Sequence, residues 1–409
     1  MMIPNGIWQG ELLRKDGHII PFNFETRNSD GKKIIYIHNG PERLLVNDIR
    51  IKGDSVFIEM PFFDSRFSLQ LHPDMKLTGN WIKNYGQELE SIPFLAVFNE
   101  PRRFNITVPP TKNISGRWEV HFKGGSGASA SVGEFLQNGW MVQGTILNPT
   151  GDFRYLEGVV DGDTLRLSTF DGGHAFAFES KILNDSLLSD GYFYSGANSK
   201  VAWEAIKNDQ AKLSDEFNVT HIKDALNPML HFRFPDLNGR LVSLSDSAFK
   251  NKVVIVQIMG SWCPNCMDET QFLAPYYTEN KKRGVEIVAL AYERTTSITN
   301  AKRLLQTIIN RFHVGYPILF TGVTNNDSLK SEKTIPEIQQ IVGFPTTVFI
   351  DKKGRVRKIH TGFSGPGTGE HYEILKNKFT GLIDLLLNEN PATTLDSSNN
   401  LKGSAYSDR

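Results

Sequence analysis

The stretch Lys252-Val-Val-Ile-Val-Gln-Ile-Met-Gly-Ser-Trp-Cys-Pro-Asn-Cys266 decides the fold of the C-terminal part of the chain. Its first half is β-branched and apolar over a strand's length, which suits a strand buried on both faces. Gly260 breaks the run, and Pro264 fits the first turn of a helix, where its missing N–H costs nothing. A strand therefore ends and a helix begins around Cys263 and Cys266, the only two cysteines in 409 residues. A helix N-terminus offers unpaired N–H groups and the positive end of the dipole, and both stabilise a thiolate. Cys263 is expected at the helix mouth, exposed, as the attacking thiol. Cys266 lies one turn inside, shielded, as the thiol that resolves a mixed disulfide on Cys263. The other use of such a pair is zinc, which needs four ligands. The sequence has neither a second C-x-x-C nor a His pair at finger spacing, so no metal is expected.

Outward from this centre, β and α patterns alternate. The periodicity predicts helices over 264–283, 298–312 and 372–387, with Leu304, Leu305, Ile308 and Ile309 on one face of the second. Strands are expected over 252–259, 285–292, 316–320, 346–351 and 356–360. Such alternation implies a mixed sheet with helices on both faces.

The first 208 residues read differently. Eight short runs, many alternating in period two, are punctuated by Gly, Asn or Asp: 6–13, 18–26, 33–38, 44–52, 55–60, 65–72, 76–83 and 92–98. Eight more follow over 116–207, and the two sets match. Gly6-Ile-Trp8 answers to Gly116-Arg-Trp118, and Gly53-Asp-Ser-Val-Phe-Ile to Gly162-Asp-Thr-Leu-Arg-Leu. This duplication predicts two eight-stranded antiparallel barrels or meanders. The Gly-x-Trp opening resembles that of lipocalin-like barrels. The expected organisation is a first β domain (1–110), its repeat (111–208), a polar linker (209–228), an α/β domain (229–390) and a disordered tail (391–409).

With the redox pair placed, residues 234–387 resemble the TlpA-like branch of the thioredoxin superfamily, in a Bacteroidetes-type form with a β-rich N-terminal region. Pro235-Asp-Leu-Asn-Gly-Arg-Leu-Val-Ser resembles that branch's entry hairpin, and Trp262-Cys-Pro-Asn-Cys266 its active site. Phe344-Pro-Thr-Thr-Val-Phe-Ile-Asp351 resembles its proline loop. The resemblance implies a thioredoxin-like domain, thiol-disulfide reductase activity on protein disulfides, no cofactor, and a membrane thiol-electron transporter as reductant. It implies a cis bond before Pro345 that presents the Phe344 backbone to an extended substrate chain. It also implies a flat aromatic, Trp262, beside the nucleophile. Gln257 stands where thioredoxin keeps a buried carboxylate, while Glu269 matches the branch's proton acceptor for the inner thiol. The spacing i, i+3 puts Glu269 and Cys266 on one helix face; complementing the helix dipole is the alternative role. Gly362 and Phe363, in the loop before the last helix, are further candidate substrate contacts. His360 and His371 have no sequence partner that would make them ligands.

Composition excludes several classes. Lys plus Arg equals Asp plus Glu at 45 each, so no global field draws the chain to nucleic acid or anionic lipid. No run is long enough to span a membrane, so an integral membrane protein is not expected. The opening residues lack a signal-peptide pattern as written, whereas the resemblance implies the periplasm or cell envelope. A peroxiredoxin-like peroxidase would need Pro and Thr or Ser where Val256 and Gly260 stand. A ligand-carrying pair of barrels with a redox appendage is the other rival, and a cavity inside a barrel would favour it.

Overall fold

The computed structural model describes residues 2–84, 88–123, 130–213 and 219–389. The expected tail at 391–409 lies outside them, as does part of the expected linker.

The first sheet comprises β1 (Gly6–Leu13), β2 (Ile19–Ser29), β3 (Lys32–Asn39), β4 (Glu42–Val46), β5 (Asp48–Lys52), β6 (Ser55–Glu59), β7 (Ser65–Leu71), β8 (Lys76–Asn84) and β9 (Leu89–Phe98). All neighbours are antiparallel, in the order β4-β3-β2-β1-β9-β8-β7-β6-β5. Among the described residues this makes nine strands, where the sequence predicts eight. The expected strand over 44–52 breaks at Asn47, since β4 pairs with β3 while β5 pairs only with β6. Leu44 and Val46 point into the core, whereas β5 is mostly exposed. The barrel therefore has a seam between two strands adjacent in sequence.

The second sheet repeats the plan with β10 (Gly116–Lys123), β11 (Ser131–Asn138), β12 (Met141–Asn148), β13 (Gly151–Asp152), β14 (Leu156–Asp161), β15 (Thr164–Phe170), β16 (Ala175–Asn184), β17 (Leu187–Ser195) and β18 (Ser199–Lys207). The counterpart of β4 is β13, only two residues long. Because β13 is so short, the free end of β12 pairs with β14, while its other edge pairs with β11. Eight strands thus close into a ring, and a closed barrel leaves no edge. The chain from the end of β12 to the start of β14 projects from it as a loop. Both barrels are filled with side chains: Trp8 and Trp118 are fully buried at matching positions. The cavity inside the first barrel is about 20 Å³, room for about one water molecule and far too small for a ligand. Phe170 of the second barrel sits in the core of the first, stacked on Phe22 at 4.3 Å and edge-on to Trp81 at 5.2 Å.

The C-terminal part holds a short hairpin, β19 (Arg233–Pro235) with β20 (Leu241–Ser243), and a five-stranded mixed sheet. Its strands are β21 (Val253–Met259), β22 (Val285–Ala291), β23 (Ile318–Phe320), β24 (Thr346–Ile350) and β25 (Val356–Thr361), in the order β23-β22-β21-β24-β25. β21 is central and wholly buried, parallel to β22 and antiparallel to β24. The helices are α1 (Pro264–Asn280), α2 (Ile298–Phe312), α3 (Lys330–Thr334) and α4 (Glu370–Asn388). The helix expected over 264–283 stops at Asn280 and tightens into a 3-10 turn that ends on Gly284 at φ 100°. The sheet is that of a thioredoxin-like fold. No helix among the described residues is long and apolar enough to cross a membrane.

The expected linker is partly docked. The Thr220 hydroxyl meets that of Thr361 at 2.8 Å, and Ile222 bridges to Ile338. The Val356 N–H donates to the Pro228 carbonyl. Polar composition hides this because short side chains and backbone groups, not an apolar stripe, make the contacts.

Candidate active site

Cys263 stands where β21 gives way to α1 and is the N-cap of the helix, with φ −108° and ψ 110°. Its sulfur accepts the Cys266 N–H at 3.2 Å, so one of the helix's four orphan donors points at the candidate nucleophile. The two cysteines are joined as a disulfide, with Cα atoms 5.2 Å apart. The turn before them is held from below. Glu293, buried at the end of β22, accepts from the Ser261 N–H at 2.8 Å and from the Ser261 hydroxyl. The Trp262 indole N–H donates to the Tyr292 carbonyl at 2.8 Å, and its ring meets Phe344 edge-on at 5.1 Å. The Phe344–Pro345 bond is cis. Trp262, Phe344 and Cys263 line one cleft.

Glu269 is fully buried on α1, three residues after Cys266. The Thr347 hydroxyl donates to one carboxyl oxygen, and Gln257 Nε2 donates to the other at 2.9 Å. Burial outweighs those hydrogen bonds and pushes the carboxyl up to about 7. Gln257 in turn accepts from the Tyr316 hydroxyl at 3.1 Å. The residue that replaces thioredoxin's acid is thus an amide that fixes Glu269 in orientation. The network was not legible in sequence, because Thr347 on β24 and Tyr316 just before β23 are distant along the chain.

Two expectations need correction. Cys263 reaches the helix mouth but is only 4% exposed. Phe363 is buried in the core between Phe272, Tyr372 and Phe379, and Gly362 packs on another segment, so neither faces an open groove. The loop from Asn148 to Tyr155 of the second barrel lies across the redox domain, packed on Gly362 and sharing the cleft with Cys263. Asp152 accepts from Asn265 Nδ2 at 3.2 Å and from the Gly365 N–H at 2.7 Å. Arg154 donates to Asp268 at 2.8 Å and to Glu42 of the first barrel at 2.6 Å, with Asp171 at 3.7 Å. This half-buried guanidinium ties all three parts of the chain together. Burial raises the Asp268 carboxyl to about 7 in spite of Arg154. His371 has a partner after all, Glu134 of the second barrel at 3.1 Å. The rest of this polar seam falls on residues the sequence did not mark, since their only signal is three-dimensional.

Residues 224–374 match the family model Redoxin. They form a redoxin domain of the thioredoxin superfamily. Among curated proteins, this chain is 28% identical over 132 residues to thiol-disulfide oxidoreductase ResA of Bacillus subtilis, covering 32% of this chain and 64% of that one. It is 29% identical over 146 residues to ResA of Geobacillus thermodenitrificans, covering 36% and 74%. The chain thus spans slightly less than two thirds of the first of these relatives. A solved thiol:disulfide interchange protein of the thioredoxin family from Chlorobium tepidum is 21% identical, with a TM-score of 0.30, over 40% of this chain and 99% of that one.

Proposed function

We propose that the protein is a thiol-disulfide oxidoreductase that reduces disulfides of protein substrates through Cys263 and Cys266. The observation that carries this reading is the capping geometry: Cys263 is the N-cap of α1, and its Sγ accepts the Cys266 N–H in a cleft shared with Phe344, whose bond to Pro345 is cis. A thiolate there is favoured by the helix terminus and by that hydrogen bond. It attacks one sulfur of the substrate disulfide, and the other leaves as a thiolate that takes up a proton. The thiolate of Cys266 then attacks Cys263 Sγ, closes the internal disulfide and releases the second substrate thiol. Two electrons have passed from the cysteine pair to the substrate. Glu269 takes the Cys266 proton in the second step, a role its burial and its carboxyl near 7 suit. A dithiol protein at the membrane of the cell envelope regenerates the pair. Trp262 and Phe344 flank the incoming sulfur.

The test is a trap. Cys266→Ser should accumulate a mixed disulfide on Cys263 when given a peptide disulfide, and Cys263→Ser should accumulate almost none, both read by intact-protein mass. Equal trapping by the two variants, or turnover surviving Cys263→Ser, would refute the assignment.

A further inference from the structure

The redoxin domain does not present its active site to solvent as a free thioredoxin-like domain would. Thr150 and Gly151 are fitted against it at backbone distance. A Cβ on Gly343, next to the proline loop, would lie 2.8 Å from Thr150 Cγ2, and one on Gly362 would lie 2.7 Å from the Thr150 carbonyl carbon. A Cβ on Gly367 would lie 2.9 Å from the Arg154 carbonyl carbon. Three glycines thus stand where the redoxin loops meet this strap, and real Cβ atoms do not approach so closely. The strap is fastened through its C-terminal half, by Asp152 on Asn265 and Gly365 and by Arg154 on Asp268. What remains above Cys263 is a cleft of about 200 Å³, walled by Thr150, Gly151 and His174 on one side and by Trp262 and Phe344 on the other.

We infer that this strap of the second barrel, Asn148 to Arg154, is a specificity wall that admits a disulfide carried on an extended, unfolded segment and excludes one on the surface of a folded protein. The inference rests on the disulfide-reductase reading and names its substrate class. A cleft of that size holds on the order of seven water molecules at ~30 Å³ each, enough for a side chain and its backbone. A folded partner would need on the order of 800 Å² of contact around the sulfur, and the barrel wall stands in that space. The edge of Phe344 beside the cleft suits a chain laid down as a strand.

The full-length protein tests this with two substrates: a short unstructured peptide disulfide, and a folded protein whose disulfide dithiothreitol reduces readily. Each kcat/KM is divided by the dithiothreitol rate constant on the same substrate. Wild type should favour the peptide by about a hundredfold on that scale, because a folded partner clashes with the strap and reaches the sulfur only when the strap opens. The double variant Asp152→Ala, Arg154→Ala should lose most of that preference. Thr150→Gly leaves both fastenings in place and should lose part of it. A second readout needs no turnover. Reduced wild type should react at Cys263 with iodoacetamide but far more slowly with a polyethylene-glycol maleimide, and the double variant should close that gap. A wild-type preference equal to that of dithiothreitol, or equal alkylation by both reagents, overturns the wall while leaving the reductase reading intact. Loss of peptide turnover on Cys263→Ser is the control that isolates the latter.

Discussion

Replacing Glu269 with Gln gives a quantitative test of the buried proton site. The two side chains have the same shape, and the amide can still meet Thr347 and Gln257, so the fold around β21 and α1 should survive. With a carboxyl near 7, wild-type Glu269 is ionised in about a tenth of molecules at pH 6 and about nine tenths at pH 8. If it is the base for Cys266, closure of the internal disulfide should quicken by nearly tenfold across that interval. The amide of the Glu269→Gln variant cannot take the proton, and loss of a positioned base costs at least about a hundredfold. The assay is stopped-flow release of thionitrobenzoate from its mixed disulfide with Cys263. Stability should carry the same signature. The folded state holds this proton more tightly than the unfolded chain, so stability is full below about 4.5 and is lost as pH rises toward 7. The loss is about 3 kcal/mol at a shift of two to three units, and Glu269→Gln should remove that share of the slope in urea titrations, leaving the share of the buried Asp268 carboxyl. Identical closure rates for both proteins at every pH from 6 to 8 would refute the base assignment and leave Glu269 a buried structural acid.

Gln257→Leu should raise the Glu269 carboxyl further, because a hydrogen bond to the ionised form is lost, and move the midpoint of the closure–pH curve upward; a midpoint unmoved or lowered contradicts the network. Phe170→Ala should cost about 3–5 kcal/mol, because a fully buried ring between Phe22 and Trp81 is deleted. Hydrogen exchange should place the loosening in the first barrel as well as the second; loosening confined to the second would show that the two do not share that core.

The sequence by itself determined what local chemistry determines. A β-branched run, a breaking glycine and a proline at N1 specify a strand-to-helix junction whatever surrounds them, and the two cysteines sit on it. Period-two alternation and the spaced Gly-x-Trp openings likewise specified paired antiparallel sheets, because each strand carries its own buried face. Tertiary structure decided the rest. Whether 44–52 is one strand or two depends on which neighbour each half finds, and Asn47 gives only a faint sign of the break. The role of Gln257 depended on Glu269, Thr347 and Tyr316 arriving from three other segments. The wall of the cleft at Cys263 depended on a loop more than a hundred residues away along the chain. Asp152 and Arg154 read as ordinary turn residues because a charge's cost or benefit is set by burial and by the partner that meets it, and neither is written in the neighbouring sequence.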